Sequence, residues 1–200
     1  MNILIISLIC SVLFPVISGF AERYNPEDLP FDLRVVPWLL GHWKLQHVDG
    51  DTPQHIIPPT VLDIAINPIP KFGARSLNVT GHLYHDSSRP ELKETFYGFM
   101  PVKNATSRDN RYHTALLTSF QSGINLIEQG FVHPGSRTVE FHLKHFMTRS
   151  FDLGVRSSNF VIDGLERLII VNGDQLSMEI QAITSHGNEN YRAIYVRTRP

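Results

Sequence analysis

The chain has 200 residues, a formal net charge of −1 from 18 Lys+Arg against 19 Asp+Glu, and one cysteine. That length allows one domain built around one core. A near-neutral chain without a basic block argues against nucleic acid as a partner, and a lone thiol excludes a disulfide scaffold.

Met1 to Ala21 carries no charged side chain, and its apolar run, Ile3 to Ile17, is short for a bilayer span. Gly19-Phe20-Ala21 places small residues where a signal peptidase reads. Residues 1–21 are therefore expected to be a signal peptide cut before Glu22, leaving a secreted chain with no membrane segment. An uncleaved anchor is the alternative. Cys10 lies in the removed part, so the mature protein is expected to have neither disulfide nor thiolate chemistry. Two glycosylation sequons, Asn78-Val79-Thr80 and Asn104-Ala105-Thr106, suit that compartment.

Glu22 to Asp32 is polar and proline-bearing and reads as a leader, and Val35 to Leu40 as a short capping helix. Gly41-His42-Trp43 then opens the first strand. The glycine permits a tight entry, and Trp43, two residues on, shares its face. A large indole at that place can plug one end of a barrel; the plainer reading is a bulky core residue.

From Gly41 onward the chain repeats one unit, an alternating apolar run followed by a turn, with no sustained helical period. Strands are expected over Val61 to Ile66, Ser76 to His85, Leu92 to Met100, His113 to Ser119 and Ile124 to Phe131. In the second of these, Leu77, Val79, Gly81 and Leu83 oppose Asn78, Thr80, His82 and Tyr84, which puts the first sequon outside. Thr138 to Met147 is the clearest strand. Its alternation turns Val139, Phe141, Leu143 and His145 inward, with Glu140, His142, Lys144 and Phe146 outward. Asn104 to Arg111 is a polar loop, and Phe151 to Ser158 a longer connection. Arg167 to Val171 and Gln175 to Ile183 flank Asn172-Gly173, a strong hairpin signal. Gly187 marks the turn into a last strand, Tyr191 to Thr198. Nine or ten short strands make an all-β closed barrel or sandwich.

Ten histidines raise the question of a metal. His142-x-x-His145 and His82-x-x-His85 have ligand-like spacing, but residues three apart on a strand face opposite ways and cannot share one ion. His145, inward by parity, could ligate a metal or haem or bond within the core. Pro134-Gly135-Ser136 lacks the second glycine of a nucleophile elbow. Asp63 and Glu94 are the nearest approach to paired carboxylates, and both read as solvent-facing.

Several segments together resemble the nitrobindin family, a haem-binding β-barrel domain also found behind a THAP zinc finger. Pro37 to Trp43 is similar to its Leu-Leu-Gly-x-Trp opening, and Lys71 to Asn78 to a segment of its nematode branch. Phe96-Tyr97-Gly98-Phe99-Met100 resembles its aromatic strand, Ala115 to Gly130 its Glu-x-Gly hairpin, and Gly173 to Tyr195 its closing hairpin. The resemblance covers about residues 33–199. It implies a ten-stranded lipocalin-like barrel holding ferric haem b through one histidine, with nitric oxide binding and conversion of peroxynitrite to nitrate. The family's iron-binding histidine opens the last strand; here the aligned residue is Asn190, whose amide oxygen is a poor iron ligand. His186, four residues earlier across Gly187, is a candidate substitute if the loop folds inward.

Three functions follow as expectations. One is a secreted haem barrel with peroxynitrite isomerase-like activity only if haem is bound. Another is a barrel that has lost haem through Asn190 and carries a lipid or other small apolar ligand. The third rests on Gly41-x-Trp43-Lys44-Leu45, which also resembles the opening of fatty-acid-binding proteins. Those hold a carboxylate with Arg-x-Tyr on the last strand, where this chain has Tyr195-x-Arg197 sharing a side.

Overall fold

A computed structural model describes residues 22–68, 75–84, 92–148 and 160–199. The expected signal peptide with Cys10, the Lys71-to-Ala74 segment, His85 and the Phe151-to-Ser158 connection lie outside the described residues. Ten strands close into a barrel: β1 Gly41–Gly50, β2 Val61–Ile66, β3 Ser76–Tyr84, β4 Leu92–Lys103, β5 Tyr112–Phe120, β6 Asn125–His133, β7 Thr138–Met147, β8 Ile162–Asn172, β9 Gln175–Thr184 and β10 Gly187–Arg199. Each strand pairs antiparallel with its sequence neighbours, and β10 returns to pair with β1. Closure removes both sheet edges. Alternation sends Leu77 and Val79, Leu116 and Thr118, Leu176, Met178 and Ile180 to a common inner face, where all are buried.

The expected capping helix is instead a series of 3-10 turns, Pro26–Asp28, Phe31–Leu33 and Pro37–Leu39. Prolines at the starts and in the flanks of these turns withhold the N–H groups that a continuous helix needs. Residues 22–32 are more than a leader. Leu29 is buried, Arg23 forms an ion pair with Asp63 at 3.0 Å, and the Tyr24 hydroxyl donates to the same carboxylate at 2.8 Å. Asp63 is thus covered by the N-terminal segment rather than facing open solvent.

Gly41 enters β1 with φ 151°, a conformation that L side chains rarely adopt, as the Gly-x-Trp reading requires. Trp43 is fully buried, and its indole N–H donates to the Leu39 carbonyl at 3.0 Å. The Arg197 guanidinium carbon lies 4.4 Å from the centre of that ring. Its Nη1 and Nη2 donate to the carbonyls of Leu40 (2.8 Å) and Trp38 (3.2 Å). These contacts close the end of the barrel under the 3-10 turns.

Two corrections concern register. The hairpin turn centres on Gly173-Asp174, one residue later than Asn172-Gly173, because Asn172 still pairs with Gln175. Gly173 alone takes positive φ (58°), which suits a turn with glycine at its first central position. In β7, Ile127 faces His145 while the next residue, Glu128, faces Leu143, so Lys144 is an extra residue without a partner. That bulge reverses the alternation. His145 is therefore exposed on the outer face, not inward, and Phe146 packs against the core instead of facing out.

Truncating the plug should be costly. Trp43→Ala should lower unfolding free energy by about 3–5 kcal/mol. Arg197→Met keeps the stem but removes the donors to the carbonyls of Leu40, Trp38 and Gly173, and should cost about 1–3 kcal/mol. Urea unfolding followed by circular dichroism measures both.

Candidate functional site

The opposite end of the barrel is the mouth. It gathers the 51–60 loop, the β5–β6 turn, Phe160 and the β9–β10 turn. Below it lies a cavity of about 120 Å³. Its wall is aliphatic and aromatic: Leu62, Val79, Met100, Leu116, Leu126 and Ile169 line it, with Phe96 and Phe120 toward the mouth. The Phe96 ring lies over Gly81 so closely that an added Cβ would fall 2.1 Å from it.

One ion pair stands on this apolar face. Glu128 projects inward from β6 and is fully buried; Arg167 projects inward from β8 and lines the cavity. Arg167 Nε donates to Glu128 Oε1 at 2.9 Å, Nη2 to Oε2 at 3.3 Å, and Nη1 to the Met178 sulfur at 3.1 Å. The pair is bidentate and leaves no guanidinium nitrogen without an acceptor. Burial alone would lower the Arg167 pKa, but the adjoining Glu128 carboxylate outweighs it and the value is raised. Thr118, also on the inner face, is buried, and its hydroxyl has no hydrogen-bond partner. Tyr191 and Tyr195 are inward-facing and buried, and burial raises the pKa of both phenols. They are therefore neutral hydroxyls.

The 51–60 loop is held to β10 by one carboxylate. Glu189 Oε1 accepts from the backbone N–H of His55 at 2.9 Å and lies 2.8 Å from its ring Nδ1, while Oε2 accepts from the Ile56 N–H at 3.3 Å. The Tyr191 hydroxyl donates to the Ile56 carbonyl. Burial pushes the Glu189 pKa up, but the His55 ring and the loop N–H groups prevail and hold it below its ordinary value. His55 stacks on Phe160 and on His186, each with centroids 5.0 Å apart.

The residues singled out from sequence scatter around this site. Asn190 is exposed on the outer face of β10, and its N–H donates to the Asp51 carboxylate at 2.8 Å. Its neighbours Glu189 and Tyr191 are the buried ones, so the aligned ligand position points away from the interior. His186 is exposed in the β9–β10 turn, its ring 3.1 Å from the Ser185 hydroxyl, and it meets the site through its ring contacts with His55 and Phe160. His145 is outside, as described. Glu94 borders the mouth and accepts from the Ser122 N–H at 3.3 Å. Asn78 is half-buried on the outer face of β3; Asn104 is half-buried, and its amide donates to Asp32 at 2.9 Å. Tyr195 and Arg197 do share the inner side, but Arg197 is committed to the closed end over Trp43 and holds no position in the cavity.

Haem does not fit these residues. Among the described residues His55 is the one histidine that lines the cavity. The enclosed space is well below the roughly 300–1,000 Å³ of pockets that enclose drug-sized ligands. Sequence reasoning overlooked His55, Glu128, Arg167, Thr118 and Glu189. A signal existed for Glu128, whose alternation places it on the same face as Leu126 and Val132: a carboxylate among apolar residues calls for a buried cation.

No protein-family model matches the sequence, and no curated protein matches it. Among solved structures, the chain is similar to the crystal structure of Rv2717c from M. tuberculosis, with a TM-score of 0.61 and 18% identity over 86% of this chain and 100% of that one. At that identity the likeness is one of fold, that of an antiparallel β-barrel.

Proposed function

We propose that the protein is a secreted binding barrel that holds a small apolar guest in its interior. The observation that carries this reading is the enclosed cavity with an aliphatic and aromatic wall, closed at one end by Trp43 and reached at the other past the 51–60 loop. An apolar cavity of about 150 Å³ in an engineered protein stays dry and takes benzene, so about 120 Å³ suits a guest of that order. Affinity would come from removing apolar surface from water, about 25 cal/mol per Å².

Calorimetry with benzene should give saturable binding to the wild-type protein. Val79→Phe, which places a ring in the cavity, should weaken it at least tenfold; a heat signal that does not saturate, or one unchanged in that variant, would refute the reading. Hemin titration is the counter-test, with no histidine-ligated Soret band expected. A band lost in His55→Ala would restore the haem reading, with His55 rather than Asn190 as ligand and Glu189 orienting its ring.

The mouth should loosen only in acid. Because the Glu189 pKa is lowered on folding, its stabilisation is complete above the unfolded value, about 4.3, and is lost as pH falls through the folded one. The difference in melting temperature between wild type and Glu189→Gln should be full at neutral pH and shrink below about pH 4.

A further inference from the structure

One ring narrows the cavity, and it rests where the facing strand carries no side chain. Resting on the reading above, we infer that Phe96, seated on Gly81, is the residue that selects the guest by size. With the ring in that seat the barrel takes an apolar molecule one ring broad and excludes broader ones. Gly81 of β3 and Phe96 of β4 are paired across the ladder, so their side-chain positions share the inner face. A Cβ built on Gly81 would fall 2.1, 2.5 and 2.8 Å from Cε1, Cζ and Cδ1 of Phe96. All three distances are far inside van der Waals contact, so one edge of the ring occupies the place of the missing side chain. Gly81 is not among the glycines of positive φ. Its backbone is that of an ordinary strand, and what the glycine provides is the seat.

The neighbour on the opposite strand completes the hold. Phe96 is paired with Phe120 of β5, and the two rings lie with centroids 5.1 Å apart and planes inclined at 44°. Phe96 thus stands between a bare backbone on β3 and a second ring on β5, and it lines the cavity. Interiors are close-packed, so a guest that overlaps this ring must force it from a place it fills. If the ring is shortened, a small guest loses wall contacts and a broader one gains room. A ring over a cross-strand glycine also stabilises a sheet. That role alone predicts lower stability when the ring is removed; it predicts no change in which guest is preferred.

The experiment is calorimetry of the full chain with benzene and naphthalene, in wild type, Phe96→Ala, Phe96→Leu, Gly81→Ala and the variant carrying both Gly81→Ala and Phe96→Ala. Wild type should prefer benzene by about tenfold, and Phe96→Ala should reverse the order, with naphthalene about tenfold tighter than benzene. Phe96→Leu keeps an apolar side chain and should fall between the two; it carries the test if Phe96→Ala does not fold, which far-UV circular dichroism reads. Gly81→Ala unseats the ring and should weaken benzene about tenfold, yet change it by less than about threefold in the Phe96→Ala background. The inference is overturned if wild type takes naphthalene as tightly as benzene, if the ratio of the two affinities is unchanged in the Phe96 variants, or if Gly81→Ala acts equally with and without the ring. Failure of benzene to bind wild type would instead remove the underlying reading of the cavity, so the two failures are distinguishable.

Discussion

Arg197 lying across the Trp43 indole joins the last strand to the first at the place where the barrel is sealed. The charge is held against the ring face, a contact of about 0.5–2 kcal/mol. The same guanidinium caps carbonyls of Trp38 and Leu40, so the 3-10 turns are drawn onto the floor of the barrel. Without that floor the inner face of every strand would open to water at both ends. An enclosed apolar space exists only because one end is shut.

The interior then divides into two regions. Near the floor, Trp43, Leu39, Val139 and Tyr195 are fully buried. Toward the mouth the wall recedes, and the ion pair of Glu128 and Arg167 spans from β6 to β8. A buried pair of this kind contributes little net stability, but breaking it by removing one partner costs about 3–5 kcal/mol. It fixes two strands that are not neighbours in the sheet and leaves the cavity electrically quiet. The rim is organised differently, by Glu189 gathering the backbone of His55 and Ile56.

Much of the fold was legible in the sequence, because alternation with a period of two is a direct trace of a sheet with one wet face. Trp43, two residues beyond Gly41, marked the plug, and Leu77 to Leu83 showed their inner face correctly. The site was less legible, for identifiable reasons. A bulge has no sequence mark in Phe141 to Met147, yet one extra residue at Lys144 exchanges the sides of His145 and Phe146. Alignment to a distant family placed attention on Asn190, while parity assigns the inside to Glu189 and Tyr191. His55 sits in a loop, where period gives no direction, and its place depends on a carboxylate 134 residues away.

The strand order has a consequence for how the chain is made. Nine of the ten pairings join consecutive strands and can form hairpin by hairpin as each emerges; the seam between β1 and β10 links Asp49 to Arg192 and His42 to Arg199. During synthesis, therefore, the growing ribbon keeps β1 as a bare edge and its indole uncovered until the final strand leaves the ribosome. The seam is the slow, long-range step, and the nascent ribbon is most prone to pair with other chains just before it closes.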